Sequence, residues 1–162
     1  MLLYQYNWKC GEMNKHEYIC KITEVVASKS TCNRAIVGAV FVNEDFEVRA
    51  TGYNGAPRGF KDCGEIGHLI ENEHCVRTIH AEQNAIIQAA KNGTRLQGTI
   101  LYSTYSPCYT CAKMIANLRI RKVMFKKLYT SGGGKEALKL LKEAGITIEF
   151  WSTSNLSPNN FN

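Results

Sequence analysis

The chain has 162 residues, 44% of them hydrophobic, with seven cysteines and a formal net charge of +6. That length and apolar content suit one domain with a core of its own, and no run approaches the roughly 18 apolar residues of a membrane span, which excludes membrane-embedded and disordered classes. An odd cysteine count without a basic start and apolar run at the N-terminus points to reduced thiols and metal ligands, hence to a soluble cytoplasmic protein and no membrane partner.

In chain order, Ile19, Ile22, Val25 and Val26 fall at helical spacing and predict a first helix over 16–30. The β-branched run 36–42, the turn chemistry of Asn43-Glu44-Asp45 and the segment 46–54 predict a hairpin. Residues 55–77 carry four glycines, a proline, two cysteines and two histidines without periodicity. A compact domain rarely keeps such a loop unless it is functional or stapled by metal. Beyond it the pattern predicts helix 79–92, strand 99–105, helix 107–118, strand 122–127, helix 135–144 and strand 146–151. Helices alternating with single strands imply a parallel portion of a mixed sheet, covered on both faces. The expected domain spans 14–151, with 1–13 and 152–162 as terminal extensions.

Two short stretches carry chemistry. In the first, His80 and Glu82 stand where a helix begins. Residues two apart on a helix point roughly 200° away from each other, so both can serve one site only if it lies off the helix N-terminus. In the second, Ser-Pro-Cys-Tyr-Thr-Cys, Ser106 is suited to cap a helix and Pro107 to its first position, while Cys108 and Cys111 share a face at the positive end, where thiolates are favoured. One imidazole and two thiolates neutralise Zn²⁺ and leave a fourth corner open, the pattern of a catalytic zinc. A structural zinc, or a zinc-stabilised binding module, would leave Glu82 beside the metal without a role.

His-x-Glu followed by Pro-Cys-x-x-Cys is the signature of zinc-dependent nucleobase deaminases. In that chemistry His80, Cys108 and Cys111 hold zinc, water attacks C4 of cytosine, and Glu82 moves the protons. The backbone of Ala81 is placed to meet the base. Polynucleotide and tRNA base deaminases share the signature, and the positive charge does not discriminate among them.

With Val-Gly-Ala-Val (37–40), the stretch 51–60 and the stretch 74–86 added to the zinc motif, the chain resembles the deoxycytidylate (dCMP) deaminases over roughly residues 16–151. The resemblance implies a three-layer α/β/α cytidine-deaminase-like fold with a mixed five-stranded sheet and helices on both faces. It implies conversion of dCMP to dUMP and ammonia, supplying dUMP for dTMP synthesis, with free nucleotide as substrate and no nucleic acid. It also implies a homohexamer activated by dCTP, with Mg²⁺ accompanying the effector, and inhibited by dTTP. Nucleotide contacts carry over to Asn54, Ala81, Arg34, Pro107 and Tyr129, and the effector loop to Gly55 and Arg58. Thr130 stands where many relatives have Arg, and Arg34, Lys126 and Lys127 are the substitutes for that phosphate contact. Some members hold a second zinc, for which Cys32 and Cys63 are the expected ligands, with His68, His74 and Cys75 available to complete a tetrahedron.

Overall fold

Strand alternation sorts the apolar side chains into two core layers, one on each face of a sheet. The computed structural model describes residues 13–72, 74–130 and 133–151. In chain order it contains helix α1 (Lys15–Ala27), strands β1 (Gly38–Val42) and β2 (Val48–Tyr53), a short helix α2 (Cys63–Ile66), and two-residue strands β3 (Ile70–Glu71) and β4 (His74–Cys75). Helix α3 (Ala81–Lys91), β5 (Ile100–Tyr105), α4 (Tyr109–Leu118), β6 (Lys122–Lys127), α5 (Gly134–Glu143) and β7 (Thr147–Phe150) follow. Five strands form the main sheet in the order β2-β1-β5-β6-β7. β1 is antiparallel to both β2 and β5, and β5, β6 and β7 are parallel, so the sheet is mixed as expected.

Successive residues of a strand point to opposite faces. Ala39, Phe41, Leu101 and Val123 therefore meet Ala85, Ala112, Ile115 and Leu141 of α3, α4 and α5 on one face. Val40, Val42, Tyr102 and Met124 meet Ile19 and Cys20 of α1, together with Trp151, on the other. The three-layer α/β/α architecture implied by the resemblance is the one observed.

Two glycines set how closely the helices seat. A Cβ on Gly38 would lie 2.4 Å from Thr23 O of α1, and one on Gly52 would lie 2.2 Å from Ala81 O and 2.4 Å from Ala85 N of α3. The side chains of α3 then reach the outer edge of β2: Thr51 N donates to Gln88 Oε1 at 2.7 Å, and Asn84 Nδ2 donates to Tyr53 O at 2.7 Å. The first turn of α3, which bears the functional residues, is thereby pinned to the sheet.

The structure departs from the sequence reading at several ends. α1 stops at Ala27, where the N–H of Ser28 bonds back to Glu24 and Val25 carbonyls. The stretch 35–37 precedes β1 because Asn54 holds it from the side: Val37 N donates to Asn54 Oδ1 at 2.8 Å and Asn54 Nδ2 donates to Ala35 O at 2.7 Å. Residues 55–77 are more ordered than their composition implies. Asp62 and Glu65 form a capping box on α2, and β3 pairs with β4 in a miniature hairpin. Helix α4 begins at Tyr109 with Cys108 as its N-cap, two residues later than predicted. Ser106 does not cap it, because its N–H bonds Lys127 O and its Oγ accepts from Tyr129 N. Among the described residues no helix is long and apolar enough to cross a membrane. The terminal extensions lie outside the described residues, apart from residue 13.

Candidate active site

The N-termini of α3 and α4 converge, and the residues that begin them face one another. His80 is the N-cap of α3, with extended backbone (φ −67°, ψ 155°), so its imidazole leaves the helix axis before the first turn. Its N–H donates to Gln83 Oε1 at 3.0 Å, which fixes that entry. Cys108 occupies the equivalent position on α4, also with extended backbone, and Cys111 lies within the first turn. His80 Nδ1 is 3.4 Å from Cys108 Sγ and 3.4 Å from Cys111 Sγ.

These distances test a metal. With Zn–S near about 2.3 Å and Zn–N near about 2.0 Å, the edges of a ligand tetrahedron come to roughly 3.5–3.8 Å. The two observed edges fit, and all three ligand atoms lie within 4.8 Å of one another. The electrostatics agree. The hydrogen bond from Cys111 holds the Cys108 thiol down to about 4, against the opposing effect of burial and with His80 assisting. His80 is raised, first by its hydrogen bond with Cys108. Cys111, the donor in that hydrogen bond, has its own thiol pushed up, first by the bond with Cys108 and then by burial, while the partial positive charge of both helix N-termini favours ionised thiols.

Glu82 stands one residue into α3 at 4% exposure. Burial pushes its carboxyl above the ordinary range. A carboxyl whose pKa burial raises, set beside the His80 imidazole and the Cys108 thiol, is in the environment of a proton carrier.

An open cleft runs from this group. Its lining includes Arg34, Asn54, His74, Thr78, His80, Ala81, Glu82, Tyr105, Cys108 and Tyr129. Four of the five expected nucleotide contacts are therefore gathered beside the His/Cys group. Pro107 is the exception: it is buried and does not line the cleft. Asn54 is 6% exposed, and both ends of its amide are engaged with the 35–37 backbone. Thr130 is exposed and outside the lining, whereas Arg34 is part of it. Gly55 pairs with Ile79 across the base of the loop, and Arg58 is exposed. Thr78 and Tyr105 also line the cleft: Thr78 lies in the stretch 74–86 but was given no role of its own there, and Tyr105 ends a predicted strand outside any motif.

A second group of potential ligands adjoins the cleft. Cys32, Cys63, His68 and Cys75 bring one ligand atom each to within 4.8 Å of the others. Cys32 Sγ is 3.6 Å from His68 Nδ1, and Cys63 Sγ is 3.6 Å from Cys75 Sγ. Burial opposes ionisation of Cys75, yet hydrogen bonds from the Arg77 backbone, His68 and Cys63 bring its thiol down to about 6. Of the two histidines available, His68 lies in this group and His74 does not. His74 and Cys75 are consecutive on β4 and point to opposite sides. Cys75 joins the group while His74 Nδ1 lies 3.1 Å from Tyr129 Oη.

Hydrolysis at a ring carbon needs an activated water and a carrier for protons, and the open three-ligand set beside a buried carboxyl supplies places for both. On this sheet that combination defines a zinc-dependent deaminase. The description of the cytidine and deoxycytidylate deaminase zinc-binding region matches residues 13–127, which include His80, Glu82, Cys108 and Cys111, and the chain belongs to that family. It is 38% identical over 134 residues to ComE operon protein 2 of Bacillus subtilis, a match covering 83% of this chain and 69% of that one. It is 37% identical over 123 residues to the deoxycytidylate deaminase of Mycobacterium phage D29, covering 68% of this chain and 93% of the phage protein. Its fold superposes with a TM-score of 0.73 on the dCMP deaminase of cyanophage S-TIM5, crystallised in complex with dCMP and dUMP, at 31% identity over 84% of this chain and 96% of that one.

Proposed function

We propose that the chain hydrolyses dCMP to dUMP and ammonia, with zinc held by His80, Cys108 and Cys111. The observation that carries this reading is the buried carboxyl of Glu82 beside a three-donor group with a cleft opening onto it. The family and the S-TIM5 complex support the choice of nucleotide.

Zinc, when bound, supplies Lewis acidity that lets water ionise near neutral pH. Glu82 takes a proton from the attacking water and delivers it to N3, which makes C4 electrophilic as the new C–O bond forms. The same carboxyl then takes the proton of the new C4 hydroxyl and passes it to the exocyclic amine, the C4–N bond breaks, and ammonia leaves as C4 becomes a carbonyl. One group serves both steps because burial brings its two protonation states closer in energy. The Ala81 backbone, at the cleft wall, meets the base edge, and Arg34 is the phosphate partner available on the lining despite Thr130. Phosphate binding remote from C4 holds the base in register and raises the rate of the chemical step.

The test is a substrate panel of dCMP, deoxycytidine, dCTP and a tRNA anticodon stem. Charge-assisted hydrogen bonds contribute about 1.5–3 kcal/mol each, so two phosphate contacts give dCMP a roughly 10²- to 10⁴-fold advantage in kcat/KM over deoxycytidine. Equal rates on the two would overturn the mononucleotide reading.

A second reading concerns the loop. Cys32, Cys63, His68 and Cys75 form a closed Cys₃His set, the chemistry of a structural zinc, and their 3.6 Å edges fit the same tetrahedron. Regulation by dCTP with Mg²⁺ and by dTTP, through a homo-oligomer and the loop bearing Gly55 and Arg58, belongs to this proposal through the family resemblance.

A further inference from the structure

Tyr129 stands on the cleft wall, held by two hydrogen-bond contacts and by one close backbone approach. Its N–H donates to Ser106 Oγ at 2.8 Å. Its carbonyl faces Gly134, the first residue of α5, so closely that a Cβ there would lie 1.9 Å from the oxygen. Its hydroxyl meets His74 Nδ1 at 3.1 Å. Ser106 is 2% exposed and lies between the end of β5 and Cys108. A hydroxyl that buried has few possible partners, and this one accepts from the backbone of the residue that closes the cleft instead of capping the helix beside it.

We propose that Ser106 is a positioning residue for nucleotide binding: its hydroxyl, with the bare Cα of Gly134, sets the depth at which the Tyr129 ring bounds the cleft. This deepens the dCMP reading and rests on it. Ser106 also lines the cleft, but its hydroxyl is engaged by the Tyr129 N–H, and Gly134 lies outside the lining, so both act on affinity for the nucleotide through Tyr129 and leave the chemistry at C4 to Glu82. The bond also links the segment carrying Cys108 to the segment carrying Tyr129, so the wall and the metal ligands keep one spacing.

The experiment uses the full-length, zinc-loaded enzyme. Ser106→Ala should raise KM for dCMP about two- to tenfold, the worth of one neutral hydrogen bond, with kcat within about twofold and zinc content unchanged. Hydrogen exchange at the Tyr129 amide should accelerate by a similar factor. Ser106→Thr, which keeps the acceptor, should hold both values near wild type, and Gly134→Ala should raise KM by displacing the Tyr129 carbonyl. Unchanged exchange at Tyr129 in Ser106→Ala would overturn the tether. Faster exchange with an unchanged KM would overturn the positioning role, as would a fall in kcat with KM unmoved. Failure of the wild type to use dCMP would instead sink the substrate reading, and the tether would stand or fall on the exchange measurement.

Discussion

Gly52→Ala is the substitution that most directly tests how the sheet places the site. Gly52 lies on β2, opposite Ala39 of β1 and beneath the first turn of α3. An added methyl would stand 2.2 Å from Ala81 O and 2.4 Å from Ala85 N, where ordinary contact begins at 3.4 Å. Relieving it moves the start of α3 outward by about 1 Å, and both nearby atoms are backbone, so no side chain can rotate away instead. His80 and Glu82 flank Ala81 and travel with it, while Cys108 and Cys111 on α4 stay behind. Ligand distances tolerate about 0.2 Å, and a 1 Å misplacement costs roughly 10²-fold in rate. Overpacking itself costs about 1–3 kcal/mol, a fall in Tm of roughly 2–12 °C for a chain of this size. Steady-state kinetics on dCMP, zinc content by atomic absorption and calorimetry read the three effects. A variant with kcat/KM within threefold of wild type, full zinc and an unchanged Tm would refute the claim that this close approach positions the site.

Glu82→Gln should keep its zinc and lose about 10²- to 10⁴-fold in kcat, because a proton carrier is removed without touching a ligand; zinc loss in step with activity would reassign it. Cys63→Ser should lower zinc from about two ions per chain to about one and lower the Tm, since structural metal binding is folding free energy; a wild-type ratio near one would end the second-zinc reading. His16 has its pKa lowered, first by burial and then by Lys122, with Glu149 opposing, and its Nδ1 pairs with the hydroxyl of fully buried Tyr102 at 2.5 Å. The neutral imidazole is therefore the folded form, stability is complete above the ordinary histidine pKa and falls as pH drops below it, and His16→Gln should flatten that slope in urea unfolding between pH 7.5 and 5. A slope unchanged in the variant would assign it to other groups.

The main sheet and its helices were legible because each long element repeats its period several times. β1 contributes Ala39 and Phe41 to one face and Val40 and Val42 to the other, which a β-branched run announces. The His80, Glu82, Cys108 and Cys111 spacing was legible for a different reason: helix geometry leaves a site off two N-termini as its only meeting place. What stayed hidden depends on partners far along the chain. Ser106-Pro107 has the chemistry of a helix start, but the N–H of Tyr129, 23 residues on, claims the hydroxyl. The choice between His68 and His74 turned on β4, which at two residues is too short to show alternation. Asp62 and Glu65 were a readable capping pair inside a segment whose glycines drew attention first.

The loop from Gly55 to Arg77 carries three of the four residues of the second Cys/His group. It buries little apolar surface: Phe60, Ile66, Leu69, Ile70 and Val76 are all exposed, and Cys63 alone among its hydrophobic side chains enters the core. Hydrophobic burial therefore cannot be what orders it, and a capping box with a two-residue hairpin offsets only part of the entropy of fixing so many residues. A metal bound by Cys32, Cys63, His68 and Cys75, as proposed above, would add further order and tie the loop to the segment after α1. The same ligation would hold β4, and the period of a strand sends His74 to the Tyr129 hydroxyl on the cleft wall. Tyr129 in turn is bonded to Ser106, two residues from Cys108. A staple needed only for the loop could sit anywhere along it. Because Cys32 and Cys75 also line the cleft, a metal that ordered the loop would at the same time fix part of the cleft wall.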